Sequence, residues 1–273
     1  MNSMNPMHTM TRASDLLAQR KRRGQQRVDV QLGILEDAGV TLPQGAAILD
    51  LGCGNGDLVA EYRRRGYRAY GCDFSFKPGP NVAELERAGH IRLIEPAPYR
   101  MPFEDGQFDL VVSNEVFEHV QNYGETLAEH RRVLKRSGVG LHTIPSRYSP
   151  IEGHVFVPLA TIIQDYWWLR VWAQLGIRTA TQQGIDARQC ARRNEEYLKN
   201  CTNYLSKAQL NEEFAQHFRE VQFVEKLFLK RSKRARFLHD MAAALPFIPS
   251  MYSTLRSRVV LCAPDASYRG GVA

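Results

Sequence analysis

The stretch ILDLGCGNGDLV, Ile48 to Val59, constrains this chain more than any other. A short apolar run carrying one acid, Asp50, opens directly into three alternating glycines, Gly52, Gly54 and Gly56. A helical pattern follows at once, with Leu58, Val59 and Tyr62 spaced for one face and Gly66 as its stop. That is a strand, a tight turn and a helix, the opening of a βαβ unit. The rhythm continues. Strands are predicted at Tyr67 to Ser75, Ile91 to Glu95, Phe108 to Asn114 and Gly138 to Pro145, with a helix from about Tyr123 to Lys135 before the last of them. Strands alternating with helices imply a parallel sheet covered on both faces.

Glycine loops after strands hold several kinds of ligand, and the residues between the glycines separate them. A dinucleotide fingerprint, G-x-G-x-x-G, would have its last glycine where Asn55 stands. A phosphate loop needs Lys followed by Ser or Thr after its glycines, and none follows here. Asp57 at the helix start suits a dianionic phosphate poorly. S-adenosylmethionine (SAM) carries no phosphate but has an ammonium, a carboxylate, a sulfonium and two ribose hydroxyls. A loop offering close backbone approach and nearby acids suits that ligand.

At these residues the chain resembles the class I SAM-dependent methyltransferases of the small-molecule type. ILDLGCGNG looks like their first motif, and Asp73 in YGCDFS sits where the family keeps a ribose-binding acid. Met101 to Val120 is similar to the adenine loop, fourth strand and following turn, and HRRVLKRSGVGLHTIPSRY to the next helix and strand. The likeness runs from Ala46 to Ser146 and returns at Leu205 to Phe228 and Ser257 to Pro264. It implies a doubly wound, seven-stranded, mostly parallel α/β sheet of Rossmann-like type with SAM as cofactor. The implied cofactor residues are Asp50, Gly52, Cys53, Gly54, Gly56, Asp73, Phe74, Met101, Asn114 and Glu115. Phe74 would lie beside the adenine, with the backbone of Met101 on its other side, and Asn114 and Glu115 near the sulfonium. One position departs from the family. An acid commonly stands four residues before Met101, where this chain has Ala97; Glu95 or main chain would have to make that contact.

The remaining segments divide the chain into four parts. Residues 1–40 form an N-terminal helical segment, with 1–10 expected to be disordered and Ala13 to Ala38 one or two helices broken near Gly24. Residues 41–145 are the SAM-binding core. From 146 to 204 the alternation stops, and about 60 aromatic and Arg-rich residues are too many for a loop. This insertion should cap the acceptor, with Tyr148, Phe156, Tyr166, Trp167, Trp168 and Trp172 either stacking on sugar or lipid or packing as a small core. Residues 205–273 complete the sheet, with Ser206 capping a helix, VQFVEKLFL a sixth strand and Ser257 to Pro264 a seventh. A basic amphipathic insertion lies between them at about 230–255.

Charge and composition limit partners more than substrate. Thirty-six basic against 29 acidic residues give a net charge of +7, concentrated in Arg20 to Arg27 and Lys230 to Arg236. Both runs are most simply solvated helix faces. In the second, Leu238, Met241, Ala242 and Leu245 share a face, a pattern that fits an anionic membrane surface or a helix packed on the sheet edge. With no apolar run of 18 residues and no signal-like start, a cytoplasmic protein is expected, peripheral to the membrane at most. Five scattered cysteines without a C-x-x-C pair give no zinc or disulfide framework, and no metal site is expected.

SNEV after the fourth strand lacks the D/N/S-P-P-Y/F motif of amino-methylating enzymes, and SPIEGHVFVP resembles segments of methyltransferases from cell-surface polysaccharide clusters. The expected acceptor is therefore a sugar hydroxyl of a glycan or lipid-linked saccharide. Nucleic acid is not expected, since no added RNA-binding module is present. A different small-molecule acceptor, RNA, or a non-catalytic SAM-binding role are the rival readings. A hydroxyl must lose a proton, and two histidines are candidate bases: His154 in the insertion and His119 in VFEH. His142, inside a strand, is expected to be structural.

Overall fold

The computed structural model describes residues 6–232, 235–242 and 245–265. Seven strands form one sheet. They are β1 (Ala47–Leu51), β2 (Arg68–Asp73), β3 (Ile91–Leu93), β6 (Phe108–Asn114), β7 (Leu134–Pro145), β8 (Glu220–Phe223) and β9 (Ser257–Ala263), in the order β3-β2-β1-β6-β7-β9-β8. A two-stranded hairpin, β4 (Glu95–Pro96) with β5 (Tyr99–Arg100), stands apart. β1 is parallel to β2 on one side and β6 on the other, and β7 extends the parallel run; β9 is antiparallel to both β7 and β8. This is the expected mostly parallel, doubly wound architecture.

The residue pattern explains the layers. β1 is buried at every position, as a central strand covered on both faces must be. Ile48, Val112 and Leu141 belong to one apolar layer, Leu49, Val111 and Val260 to the other. Helices α2 (Asp57–Arg64), α3 (Val82–Arg87) and α4 (Tyr123–Val133) are the crossovers. Helix α7 (Lys207–Ala215) begins at a capping box, Ser206 accepting from the Gln209 amide. Its Leu210 and Phe214, with Phe218, pack on the second layer.

Three expectations on element boundaries are corrected. Helix α1 runs unbroken from Pro6 to Asp37, so residues 6–10 are helical and Gly24 does not interrupt it; residues 1–5 lie outside the described residues. An interior glycine costs a helix only about 1 kcal/mol, which packing on α2 can offset. At Gly24 a Cβ would stand at an ordinary contact distance, 3.7 Å, from the Asp57 carbonyl, so the packing there does not itself require glycine. The sixth strand is short: VQF pairs, but Glu225–Arg231 turns into α8, whose Leu229 is buried. The basic insertion is not one amphipathic helix but α8, α9 (Arg236–Ala242) and α10 (Ile248–Leu255). Lys230 and Arg231 are held by Asp37 at the end of α1, at 2.7 and 2.6 Å. Lys233 and Arg234 of that run lie outside the described residues.

The insertion holds α5 (Tyr166–Gln174) and α6 (Ala187–Cys201). It has its own apolar cluster of Val155, Val157, Ala160, Leu169, Ala191 and Leu198, with Tyr166, Trp168 and Trp172 packed against it. Trp168 Nε1 donates to the Pro158 carbonyl at 2.7 Å. Half of the six aromatics are therefore core, while Trp167, Phe156 and Tyr148 remain exposed. His142, in β7, is fully buried among Phe117, His130 and Phe214, as a structural residue.

Candidate functional site

The chain leaves β1 toward β2 on one side and leaves β6 toward β7 on the other. In such sheets the crevice at the strand carboxyl ends opens where the order reverses, here between β1 and β6. Two cavities lie at that switch. The smaller, about 220 Å³, is lined by Asp50, Gly52, Cys53, Asn55, Asp57 and Asn114 below and Arg20, Arg23 and Arg27 above. The larger, about 1050 Å³, extends from Asn114 and Glu115 between α1, the insertion and α8 to α10. Asn114, Arg23 and Arg27 line both.

The glycine loop is built for close approach. Gly52, Gly54 and Gly56 have φ values of 72°, 54° and 70°, a region that costs other residues strain. A Cβ on Gly52 would meet Val116 Cγ2 at 2.3 Å, so the loop also presses on the turn after β6. Asp73, at the end of β2, takes the Gly54 amide on Oδ2 and the Phe74 amide on Oδ1, both at 2.8 Å. Oδ1 also takes the Ser75 amide in a long contact of 3.5 Å, and Oδ2 keeps a lone pair for a hydroxyl. The Phe74 ring is 57% exposed and 5.9 Å from Tyr99. Glu95 is exposed on the hairpin that carries Tyr99.

Other residues are placed less openly than their implied roles require. Met101 is fully buried, its amide donating to Glu129 at 2.8 Å and its carbonyl accepting from Arg132 at 3.0 Å, so its main-chain polar groups are already committed. Cys53 lines the smaller cavity, but its side chain is buried against Gly71, where burial pushes its thiol well up. Asp50 is buried without a cation within hydrogen-bonding range. Loss of solvent raises its pKa to about 7, with Arg27 opposing and Asp73 adding. Asn114 has a buried Nδ2 with no partner where the two cavities meet. An acid short of a cation, an orphaned amide and a carboxylate with a free lone pair on Oδ2 fit the ammonium, carboxylate and ribose of SAM.

On the other side of Asn114 the fold joins residues far apart in sequence. His154 Nδ1 lies 2.7 Å from Glu152 Oε1, and that carboxylate also accepts from Tyr204 OH at 2.6 Å and from the His154 and Val155 amides. Glu152 raises the pKa of His154. The His119 ring meets that of His154 edge to face at 4.8 Å, and its Nδ1 lies 2.7 Å from the Cys201 carbonyl. Burial lowers the pKa of His119. Glu118, 1% exposed, sits beside both, and burial pushes its carboxyl up to about 8. Glu115 follows Asn114 at φ 56° and is 3.9 Å from Arg27. The two candidate bases thus pack on each other, but of the pair only His154 lines the larger cavity, together with Glu115 and Glu118.

Three groups were not legible as site residues. Arg20, Arg23 and Arg27 read as a solvated basic face, yet they line the smaller cavity; their spacing of three and four on one helix was the available signal. Glu118 carries no signal in the sequence beyond standing next to His119. Glu152 and Tyr204 are 52 residues apart and are joined only by the fold.

Comparison with known proteins agrees with the cofactor half. A family model described as a methyltransferase domain matches residues 49–141. An uncharacterized methyltransferase of Mycobacterium sp. (strain KMS) is 29% identical over 116 residues, 42% of this chain and 44% of that protein. The 2-phytyl-1,4-naphtoquinone methyltransferase of Trichormus variabilis is 36% identical over 98 residues, 33% of this chain and 43% of that one. The chain thus spans less than half the length of these curated relatives. Among solved structures, the geranyl diphosphate C-methyltransferase of Streptomyces coelicolor A3(2) superposes with a TM-score of 0.45 at 17% identity, over 88% of this chain and 80% of that one. In sequence, residues 49–141 are similar to a methyltransferase domain, and the glycine loop and the sheet order agree with that likeness.

Proposed function

We propose that this protein transfers a methyl group from SAM to a hydroxyl of a small molecule held in the larger cavity, and that the hydroxyl belongs to a sugar of a glycan or lipid-linked saccharide. The observation that carries the reading is the junction at Asn114: a glycine-loop cavity suited to SAM meets there a cavity lined by Glu118 and His154, with the His119 ring packed behind His154 at 4.8 Å. Gly52 and Gly54 admit the amino-acid half of SAM, Asp50 and Asn114 meet its charged groups, and Asp73 takes the ribose. Arg20, Arg23 and Arg27 close over it from α1. Phe74 offers its exposed ring to the adenine.

The acceptor oxygen attacks the methyl carbon in line. The O–C bond forms as the C–S bond breaks, sulfur keeps that electron pair, and S-adenosylhomocysteine leaves. Most of the catalysis is positioning. The hydroxyl proton passes to His154, whose Nδ1 side is held by Glu152 so that Nε2 faces the acceptor. His119 packs on that ring and is the second candidate. The segment bearing Leu238, Met251 and Leu255 on the cavity wall also exposes Phe237 and Phe247, with Arg236 beside them. That combination supports an acceptor with a lipid end, presented at an anionic membrane surface from the cytoplasmic side. Among the described residues no helix is long and apolar enough to cross a membrane.

The test is transfer of tritiated methyl from SAM into cell-envelope, nucleic-acid and small-molecule fractions. Label in a saccharide of the envelope fraction, absent with Asp73→Ala, is the expected result. Label in RNA would replace the acceptor, and failure to bind SAM would end the reading.

A further inference from the structure

The His119 and His154 rings are arranged as paired ligands. Each has Nδ1 engaged, one with the Cys201 carbonyl at 2.7 Å and one with Glu152 at 2.7 Å, and each therefore presents Nε2. A partner behind the ring that fixes tautomer and orientation is what metal-binding histidines have. Glu118 supplies a carboxylate: one ligand atom from each of Glu118, His119 and His154 lies within 4.8 Å of the other two. Independently, Glu118 is 1% exposed, and neither carboxylate oxygen has a hydrogen-bond partner in another residue. A buried carboxylate oxygen without a partner is costly, and a cation beside the two imidazoles would satisfy it.

We propose that Glu118, His119 and His154 hold a divalent cation at the cavity edge, with Glu115, three residues before Glu118 and on the same cavity, completing the set. Two imidazoles and carboxylates suit a first-row ion such as Mn2+ or Zn2+, and three or four protein ligands leave an open position toward the cavity. Local charge favours occupancy. Glu115, Glu118 and Glu152 face the rings, with Arg27 and Lys77 as the opposing cations. This deepens the proposed function and rests on it for the acceptor: in the cation-free chain His154 takes the proton, whereas with the ion bound His154 is a ligand, and a hydroxyl in the open position becomes more acidic and gives its proton to water.

Mn2+ titration of the chelator-stripped full chain, followed by the loss of the free-ion electron paramagnetic resonance signal, tests it, with calorimetric Zn2+ titration alongside. One ion per chain is expected. Glu118→Gln and His119→Gln should each weaken binding at least ~100-fold, and Glu152→Gln, which frees the back of the His154 ring, about 10- to 100-fold. Thermal melts and SAM titration of the same samples control for folding; should Glu118→Gln not fold, His119→Gln at the surface of the cluster carries the test. Binding of neither ion by the wild-type chain, or undiminished binding in the folded variants, overturns the site. A chain that binds SAM but no cation loses this inference alone. One that binds the cation through these residues but not SAM loses the methyltransferase reading and keeps the site.

Discussion

The two halves of the crevice are built in opposite ways. On the cofactor side, Gly52, Gly54, Gly56 and Asp73 come from one βαβ unit, and their geometry follows from local rules: positive φ at each glycine and a carboxylate at a strand end taking the Gly54 amide. On the side proposed for the acceptor, His119, Glu152, His154 and Tyr204 come from the turn after β6 and from both ends of the insertion. Short-range structure makes a cofactor site portable between proteins. A site assembled across the insertion can vary while the loop stays as it is.

If the halves are separable, variants should affect one constant and spare the other. The largest effect is expected from His154→Ala, a fall in turnover of about 10² to 10⁴-fold with SAM affinity unchanged, read from steady-state rates at saturating acceptor and from calorimetry. A shift in SAM affinity of similar size would erase the division. Next is Asp73→Ala. Hydrogen bonds to a charged group are worth about 2 to 3 kcal/mol, so SAM should bind about 30- to 150-fold more weakly with acceptor KM unchanged. Unaltered SAM affinity in a folded variant would remove Asp73 from the site.

Acid stability sharpens the contrast through sign. His130 and His142 are buried in the layer beneath the crevice; burial holds His130 down to about 3 and His142 well below its usual value. Unfolded histidine titrates near 6.5. Both states are neutral above that pH, and below it the unfolded chain takes up protons that the folded core refuses. Stability should therefore fall as pH drops from 6.5 toward 3, by about 1.4 kcal/mol per pH unit for each such histidine. His154 has the opposite sign: its folded pKa is raised by Glu152, so its contribution is present below 6.5 and lost as pH rises through the raised value. Denaturant midpoints of the wild type and His130→Gln across pH 4 to 8 check the first; an unchanged pH slope in His130→Gln would reject it.

The smallest effect isolates the insertion. Trp168→Phe removes the hydrogen bond to the Pro158 carbonyl and should cost about 1 kcal/mol, seen as faster proteolysis of residues 146–204, with SAM affinity untouched. Loss of SAM binding in that variant would mean the insertion also supports the loop.

Much of the fold was legible because it is local. The period of apolar residues marked β1, β2, β6, β7 and β9, Ser206 announced α7, and the glycines announced the turn after β1. The misreadings have physical causes. Gly24 reads as a break by propensity, but the packing of α1 on α2 outweighs a penalty of about 1 kcal/mol. EKLFL has strand-like residues, yet Leu229 is buried and Arg231 is drawn to Asp37, so it turns into helix α8. The charged run Arg20 to Arg27 looks solvated until the crevice beneath it is known. What the sequence determined by itself is the glycine loop, the acid after β2 and the alternation of strands and helices, because each depends on neighbours a few residues away. Only the tertiary structure decided that Glu118, His119 and His154 meet and that Arg20, Arg23 and Arg27 roof the smaller cavity. Such meetings depend on how separate elements pack, and spacing along the chain carries no record of it.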